Sequence, residues 1–261
     1  MPEPGLLKFT LNVNDVDVSL LPLDARQRGT PAFCESAIAY LKGEFERFGG
    51  STSIRVENDV IEVSWTTDRY PQEALPHIID KLKRGKYPGA ITLLRLFLSG
   101  LPNDANLLYN LGMALSDTGK LPDAVNHLRR AVTVAPDFTN ARVALGIALQ
   151  RQGENEDAMR ILTEAVSRDA QNGWAQRNLG ACLLNAGKVK EAEECLRQAT
   201  TLDPQDQLAL FGLAEALAKS GRLQEADDVY HQCIDIDPFG KIADVARDEC
   251  RKIASRQSTK R

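Results

Sequence analysis

The sequence has few of the residues that usually build active sites or metal centres. Its 261 residues include three histidines, two tryptophans and five cysteines, and aromatic residues make up only 6%. The cysteines lack the spacing of a disulfide framework or a metal site, and the histidines show no ligand spacing. No glycine-rich phosphate loop or catalytic triad pattern is present. We therefore expect no cofactor, no metal site and no enzymatic activity.

Long hydrophobic runs and a strong charge of one sign are also absent. No stretch approaches the length of about 20 apolar residues that spans a membrane, and residues 1–5 lack the regions of a signal peptide. The net charge of −4 gives no basic excess that would favour nucleic acid. Together with an odd number of cysteines, these features predict a cytoplasmic protein without membrane insertion and make nucleic acid an unlikely partner.

Small residues recur every 34 positions through most of the chain. Four series keep this period: Gly112, Gly146 and Gly180; Gly85, Gly119, Gly153, Gly187 and Gly221; Ala90, Ala124, Ala158, Ala192 and Ala226; Pro102, Pro136, Pro204 and Pro238. A fixed period of this length is typical of a stacked array of repeats.

The repeat over residues 105–138 illustrates the organisation of one unit. Apolar residues from Leu107 to Leu115 follow helical spacing, the segment 117–120 interrupts it, and the pattern resumes from Ala124 until Pro136. This predicts a helix, a turn and a second helix. Gly119 is expected to form a left-handed helix cap, and Gly112 is expected to allow close contact between helices.

The recurring Leu111-Gly112, Ala124 with Leu128, and Pro136 resemble the signature of the tetratricopeptide repeat. Leucines replace its aromatic residues in most units. Four units match in register, whereas the first matches only at Gly85, Ala90, Leu94 and Pro102. The resemblance implies five repeats over residues 71–240. A further amphipathic pattern predicts a capping helix over 241–254, followed by a basic disordered tail over 255–261.

Residues 1–70 have a different pattern. Alternation from Leu7 to Val13 and again from Val16 to Leu20 predicts a β-hairpin, and Thr30-Pro31 begins an amphipathic helix. A second hairpin is predicted from Ile54 to Trp65. The expected fold is thus mainly α: a small α+β domain of the order ββαββ, then a solenoid of five repeats and a capping helix. We expect the small domain to dock on the first repeat or on another copy of itself.

The resemblance also predicts where a partner binds. In this family the second, fifth, sixth, ninth, twelfth and thirteenth residues of each unit face a concave groove. The candidates on this sequence are Tyr109, Asn110, Met113, Asn140, Val143, Ile147, Arg151, Trp174, Arg177, Asn178, Asn185 and Phe211.

Asn110 and Asn178 occupy the same position two repeats apart, where their amides could hold the main chain of an extended peptide. The alternative is that they bond across adjacent helices. Trp174 could line the groove as a binding residue or pack between helices.

The sequence therefore predicts a non-enzymatic scaffold or adaptor that binds a peptide or protein segment in the groove of the array. Two alternatives remain open. One is a regulatory or specificity subunit of an enzyme complex that docks through residues 1–70. The other is a self-assembling coat protein, in which the groove of one copy accepts the N-terminal segment or the basic tail of the next. Residues 1–70 are in addition a possible site of homo-oligomer formation.

Overall fold

The computed structural model describes residues 5–67 and 74–258. The chain forms two compact units, Met1–Pro136 and Asp137–Arg261. Among the described residues, the first unit contains a small sheet and five α-helices, and the second contains seven α-helices. The boundary predicted at residue 70 lies outside the described residues.

The N-terminal sheet has three antiparallel strands: β1 (Gly5–Asn12), β2 (Ser51–Glu57) and β3 (Val60–Thr67). Their order is β1-β3-β2, so that β3 lies in the centre and Val63 pairs with both Phe9 and Ile54. The helix α1 (Pro31–Phe48) precedes β2. Its predicted start is confirmed, because the Phe33 N–H donates to the Thr30 hydroxyl and Pro31 is the first helical residue.

The predicted first hairpin is wrong, and the order of this domain is βαββ instead of ββαββ. Three short 3₁₀ helices, Val13–Asp15, Val18–Leu20 and Leu23–Ala25, replace its second strand. The side chains of Asn12 and Asp17 accept backbone N–H groups two residues further on. Such local bonds favour turns over strand pairing, and β1 pairs with β3. The second hairpin is confirmed around Asn58 and Asp59, both with positive φ.

The sheet packs on the first helix pair, as expected for docking on the first repeat. Phe97, in the second helix of that pair, makes ring contacts with Phe9, Phe45, Phe48 and Trp65 at centroid distances of 5.0–6.0 Å. All five rings are almost completely buried. The small domain and the first repeat therefore share one hydrophobic core.

Residues 74–236 form five successive pairs of helices, which confirms the predicted repeat fold. The pairs are α2 (Ala74–Lys83) with α3 (Tyr87–Gly100), α4 (Ala105–Asp117) with α5 (Leu121–Val134), α6 (Thr139–Gln152) with α7 (Asn155–Arg168), α8 (Gly173–Asn185) with α9 (Val189–Leu202), and α10 (Gln207–Lys219) with α11 (Leu223–Ile236).

One glycine lies in the turn between the two helices of each pair and has φ between +70° and +91°, as a left-handed cap requires. These residues are Gly85, Gly119, Gly153, Gly187 and Gly221.

A last helix, α12 (Lys241–Ser258), packs on α11 and buries Ala243, Ala246 and Ile253. The helix extends four residues beyond the predicted end, so residues 255–258 are helical and the tail predicted from 255 onward is corrected there. Residues 259–261 of that predicted tail lie outside the described residues.

Candidate protein-binding surface

A cavity of about 260 Å³ lies where α8 meets α10 in the second unit. Four of the predicted groove residues, Arg177, Asn178, Asn185 and Phe211, line it together. The remaining lining residues are Ala181, Leu184, Leu196, Leu208, Gly212 and Glu215. The cavity thus combines an apolar floor with amide, guanidinium and carboxylate groups, a composition typical of binding sites.

Arg177 is held in place by an ion pair. Its Nη1 lies 2.7 Å from Oδ2 of Asp206, and both side chains are mostly buried. The other carboxylate oxygen of Asp206 accepts the backbone N–H groups of Leu208 and Ala209, which caps the start of α10. One carboxylate therefore fixes both the helix start and the orientation of Arg177.

The two matched asparagines do not bond across helices. Each Nδ2 donates to the carbonyl four residues earlier in its own helix, Asn110 to Asn106 at 2.7 Å and Asn178 to Trp174 at 2.6 Å. Both side chains are partly exposed. Because this bond engages only one of the two amide N–H groups, it orients the side chain and leaves most of its bonding capacity unused.

Phe211 and Leu208 give the cavity its exposed apolar surface. Phe211 is half-buried and packs on Tyr230 with ring centroids 5.5 Å apart, whereas Leu208 is 52% exposed. The sequence prediction did not include Leu208. Leu208 is the second residue of its unit, a position that the family resemblance assigns to the groove. The same rule that selected the other groove residues therefore also predicts Leu208.

The other predicted residues have varied environments. Val143 is completely buried, so its assignment to the groove surface is corrected: it belongs to the core. In the first unit Tyr109 and Met113 are half-buried, and burial raises the pKa of Tyr109. In the second unit Trp174 and Ile147 are half-buried, and Arg151 is exposed.

Asn140 is exposed, and its side-chain oxygen accepts a hydrogen bond from Asn172.

One group of possible metal ligands exists in the part of the chain that the structure describes. Asp227, His231 and Cys250 have ligand atoms within 4.8 Å of one another. They lie on α11 and α12 and do not line the cavity.

No helix among the described residues is both long and apolar enough to cross a membrane.

Two sequence models of the tetratricopeptide repeat family match the chain. One matches residues 75–138, 109–173 and 178–240, and the other matches residues 149–206. Together they span the whole helical array. The chain belongs to the tetratricopeptide repeat family. This agrees with the paired helices, the glycine caps and the 34-residue period. No curated protein sequence matches the chain.

Solved structures of tetratricopeptide repeat proteins resemble this chain. TTC0263, a thermophilic member from Thermus thermophilus, is 25% identical with a TM-score of 0.57, and the match covers 70% of this chain and 97% of that protein. YrrB, described as having an unusual peptide-binding site, is 19% identical with a TM-score of 0.52, covering 68% and 91%. MamA from Desulfovibrio magneticus is 19% identical with a TM-score of 0.54, covering 64% and 94%. Because YrrB and this MamA are only 19% identical to the chain, their similarity shows a shared fold and nothing more.

Proposed function

We propose that this protein is a non-enzymatic scaffold that binds a peptide or protein segment at the cavity between α8 and α10. Tetratricopeptide repeat proteins are protein-interaction scaffolds. The observation that carries the proposal is the lining of the cavity, where Leu208 and Phe211 stand beside Arg177, Asn178 and Asn185. An apolar pocket with a few oriented polar groups suits one side chain of a ligand together with its main chain.

The charges indicate what kind of segment fits. Arg177 already pairs with Asp206, and Glu215 also lines the cavity, so the described lining has no unpaired cation to attract a carboxylate. Neutral main-chain groups match the amides of Asn178 and Asn185 better than a carboxylate does, since an amide both donates and accepts hydrogen bonds. We therefore expect a ligand segment with a large apolar anchor residue whose neighbouring peptide groups bond to Asn178 and Asn185.

A selection of displayed random peptides on the full chain tests this proposal. Selected peptides should share an apolar anchor, and Phe211→Ala should weaken their binding by about tenfold or more, as measured by fluorescence anisotropy. The matched control is Arg160→Ala on α7, which removes an exposed side chain outside the cavity and should leave the affinity unchanged. Peptides that bind both variants as tightly as the wild type would refute the proposed site.

The two asparagines provide a second test. Asn178→Ala combined with Asn185→Ala should weaken the same peptides while the melting temperature changes little. Alanine has the higher helix propensity, by a few tenths of a kcal/mol, and this offsets the loss of the one hydrogen bond that Asn178 makes within its own helix. Comparison with each single variant separates the contributions of the two amides. Unchanged affinity in the double variant contradicts the role of the amides.

A homo-oligomer formed through the N-terminal domain is the second candidate. In the part of the chain that the structure describes, β2 pairs only with β3, so that its other edge has no strand partner. An open edge can add a strand from a second copy. Light-scattering mass should then rise with concentration, and Val56→Pro on β2 should abolish the rise. A constant monomer mass rules out this assembly.

A further inference from the structure

Three side chains on the last two helices converge on one point, although the sequence predicted no metal site. Asp227 and His231 are four residues apart on α11, which brings them to the same face of that helix. Cys250 projects from α12, which packs against α11. The ligand atoms of all three residues lie within 4.8 Å of one another.

We propose that Asp227, His231 and Cys250 bind one divalent transition-metal ion, with Zn²⁺ as the best match. The Nδ1 atom of His231 lies 3.9 Å from Sγ of Cys250 and 3.8 Å from Oδ2 of Asp227. Tetrahedral zinc with typical bond lengths of about 2.0–2.3 Å separates such ligand atoms by about 3.3–3.6 Å. The two observed distances exceed these values by about half an ångström or less, and the Cys250 and Asp227 ligand atoms lie within 4.8 Å of each other.

The donor set favours zinc over harder cations. A thiolate, an imidazole and a carboxylate are ligands that Zn²⁺ accepts, whereas Ca²⁺ and Mg²⁺ prefer oxygen ligands only. His231 is exposed and Asp227 and Cys250 are partly exposed, so an ion can reach the site and a water molecule can complete the coordination. The imidazole has to release its 2.9 Å contact with the Asp227 carbonyl to turn Nδ1 toward the ion.

A nucleophilic cysteine does not explain this arrangement. In a thiol–imidazole–carboxylate triad the two ring nitrogens contact different partners, whereas here the same nitrogen faces both.

The site would fasten α12 to α11 at the end of the second unit. Metal binding to the native state stabilises it relative to the unfolded chain. The melting temperature of the full chain is therefore expected to rise with Zn²⁺ and to fall again with a chelator. This role does not depend on the peptide-binding site.

Titration of the metal-free, untagged full chain with Co²⁺ tests the proposal. One equivalent should produce a thiolate-to-cobalt charge-transfer band, and Zn²⁺ should displace it. Cys250→Ser should abolish the band, and His231→Ala should weaken binding by at least about 100-fold, since even outer-shell groups change metal affinity by 10- to 100-fold.

Cys195→Ser is the matched control, because Cys195 is also partly exposed but lies on α9, away from the cluster. It should retain the full band, and circular dichroism checks that each variant is folded. The proposal is overturned if the wild type gives no thiolate band, or if the band persists in Cys250→Ser.

Discussion

Gly112 and Gly119 belong to the same repeat and are required for different reasons. Gly112 lies inside α4, where an added Cβ would come within 2.5 Å of Leu128 Cγ on α5. Gly119 ends the turn after α4 with φ of +79°, and an added Cβ there would meet nothing within 4 Å. Sterics between helices therefore select the first glycine, and backbone conformation selects the second.

Gly112→Ala is expected to reduce the free energy of unfolding by about 1–3 kcal/mol, because overpacking outweighs the better helix propensity of alanine. Gly119→Ala should cost about 1–2 kcal/mol for its left-handed backbone. Asparagine tolerates the left-handed conformation, so Gly119→Asn should reduce the free energy of unfolding less than Gly119→Ala does. Gly112→Asn should reduce it more than Gly112→Ala does, because the larger side chain meets the same close contact with Leu128. Urea unfolding measures all four, and equal losses at the two positions contradict the distinction.

His127 on α5 is expected to make stability depend on pH. Burial, followed by the guanidinium groups of Arg130 and Arg95, lowers its pKa, although Asp123 acts in the opposite direction. The folded state thus binds this proton more weakly than the unfolded state. The stability from neutral His127 is complete above the unfolded pKa of about 6.5 and is lost as the pH falls toward the lower folded pKa.

His127→Gln should therefore flatten the dependence of the unfolding free energy on pH between about 7 and 5. Urea unfolding at several pH values measures this dependence. Asn126→Ala is the control, because Asn126 is an exposed side chain on the same helix that carries no titratable group, so the slope should stay unchanged. A wild-type protein whose stability rises as the pH falls through this range contradicts the assignment.

At the scale of elements, a buried carboxylate joins α1 to α2. Glu44 is 4% exposed, and its two oxygens contact three cationic or potentially cationic groups. Lys81 Nζ lies at 2.9 Å, and Arg47 Nη1 and His77 Nε2 lie at 3.1 Å. A buried charge is tolerated only with such partners, so this cluster fixes where α2 lies on the small domain.

Glu44→Leu should destabilise the protein by about 3–5 kcal/mol, because it leaves the largely buried Lys81 without its acidic partner. Adding Lys81→Met should recover much of this loss, since an apolar pair of similar volume avoids the unpaired charge. Asp80→Asn, which breaks an exposed pair with Arg84, should cost no more than about 1 kcal/mol. A single variant as stable as the double variant argues against a buried ion pair.

At the scale of the whole molecule, the small domain and the first repeat are expected to unfold together. Phe97 belongs to the repeat array, yet its ring packs on Phe9 and Trp65 of the small domain. The main chain joins the two as well, because the Thr10 N–H donates to Ser99 Oγ at 2.7 Å. Removal of residues 1–70 would expose this shared core, so point variants test the N-terminal domain better than truncation does.

Phe97→Ala should lower the stability reported by Trp65 fluorescence by about 3–5 kcal/mol. The chain has two tryptophans, Trp65 in the first unit and Trp174 in the second, so a Trp174→Phe background makes the signal specific. Leu23→Ala, at a side chain that is 81% exposed, is the control and should change little. If Trp65 reports the same transition in Phe97→Ala as in the parent, the shared core does not govern unfolding of the domain.

The sequence alone determined the repeat array, because each turn and each close helix contact restricts the residue at its own position. The 34-residue recurrence of glycine, alanine and proline therefore predicted the paired helices and the family. The resemblance to the family assigned Asn178 and Phe211 to a groove, and both line the cavity between α8 and α10, whereas their role in binding stays a prediction. The start of α1 and the turn of the second hairpin were predictable for the same reason.

Only the tertiary structure decided features that depend on contacts between distant segments. Alternation from Val16 to Leu20 resembled a strand, but β1 takes β3 as its partner and Asp17 stabilises a local turn. Val143 occupied a groove position by its number, yet packing buries it completely. Cys250 and His231, 19 residues apart and without a motif, meet only because α12 folds back on α11. Local sequence cannot encode such proximity, since it arises from packing of whole elements.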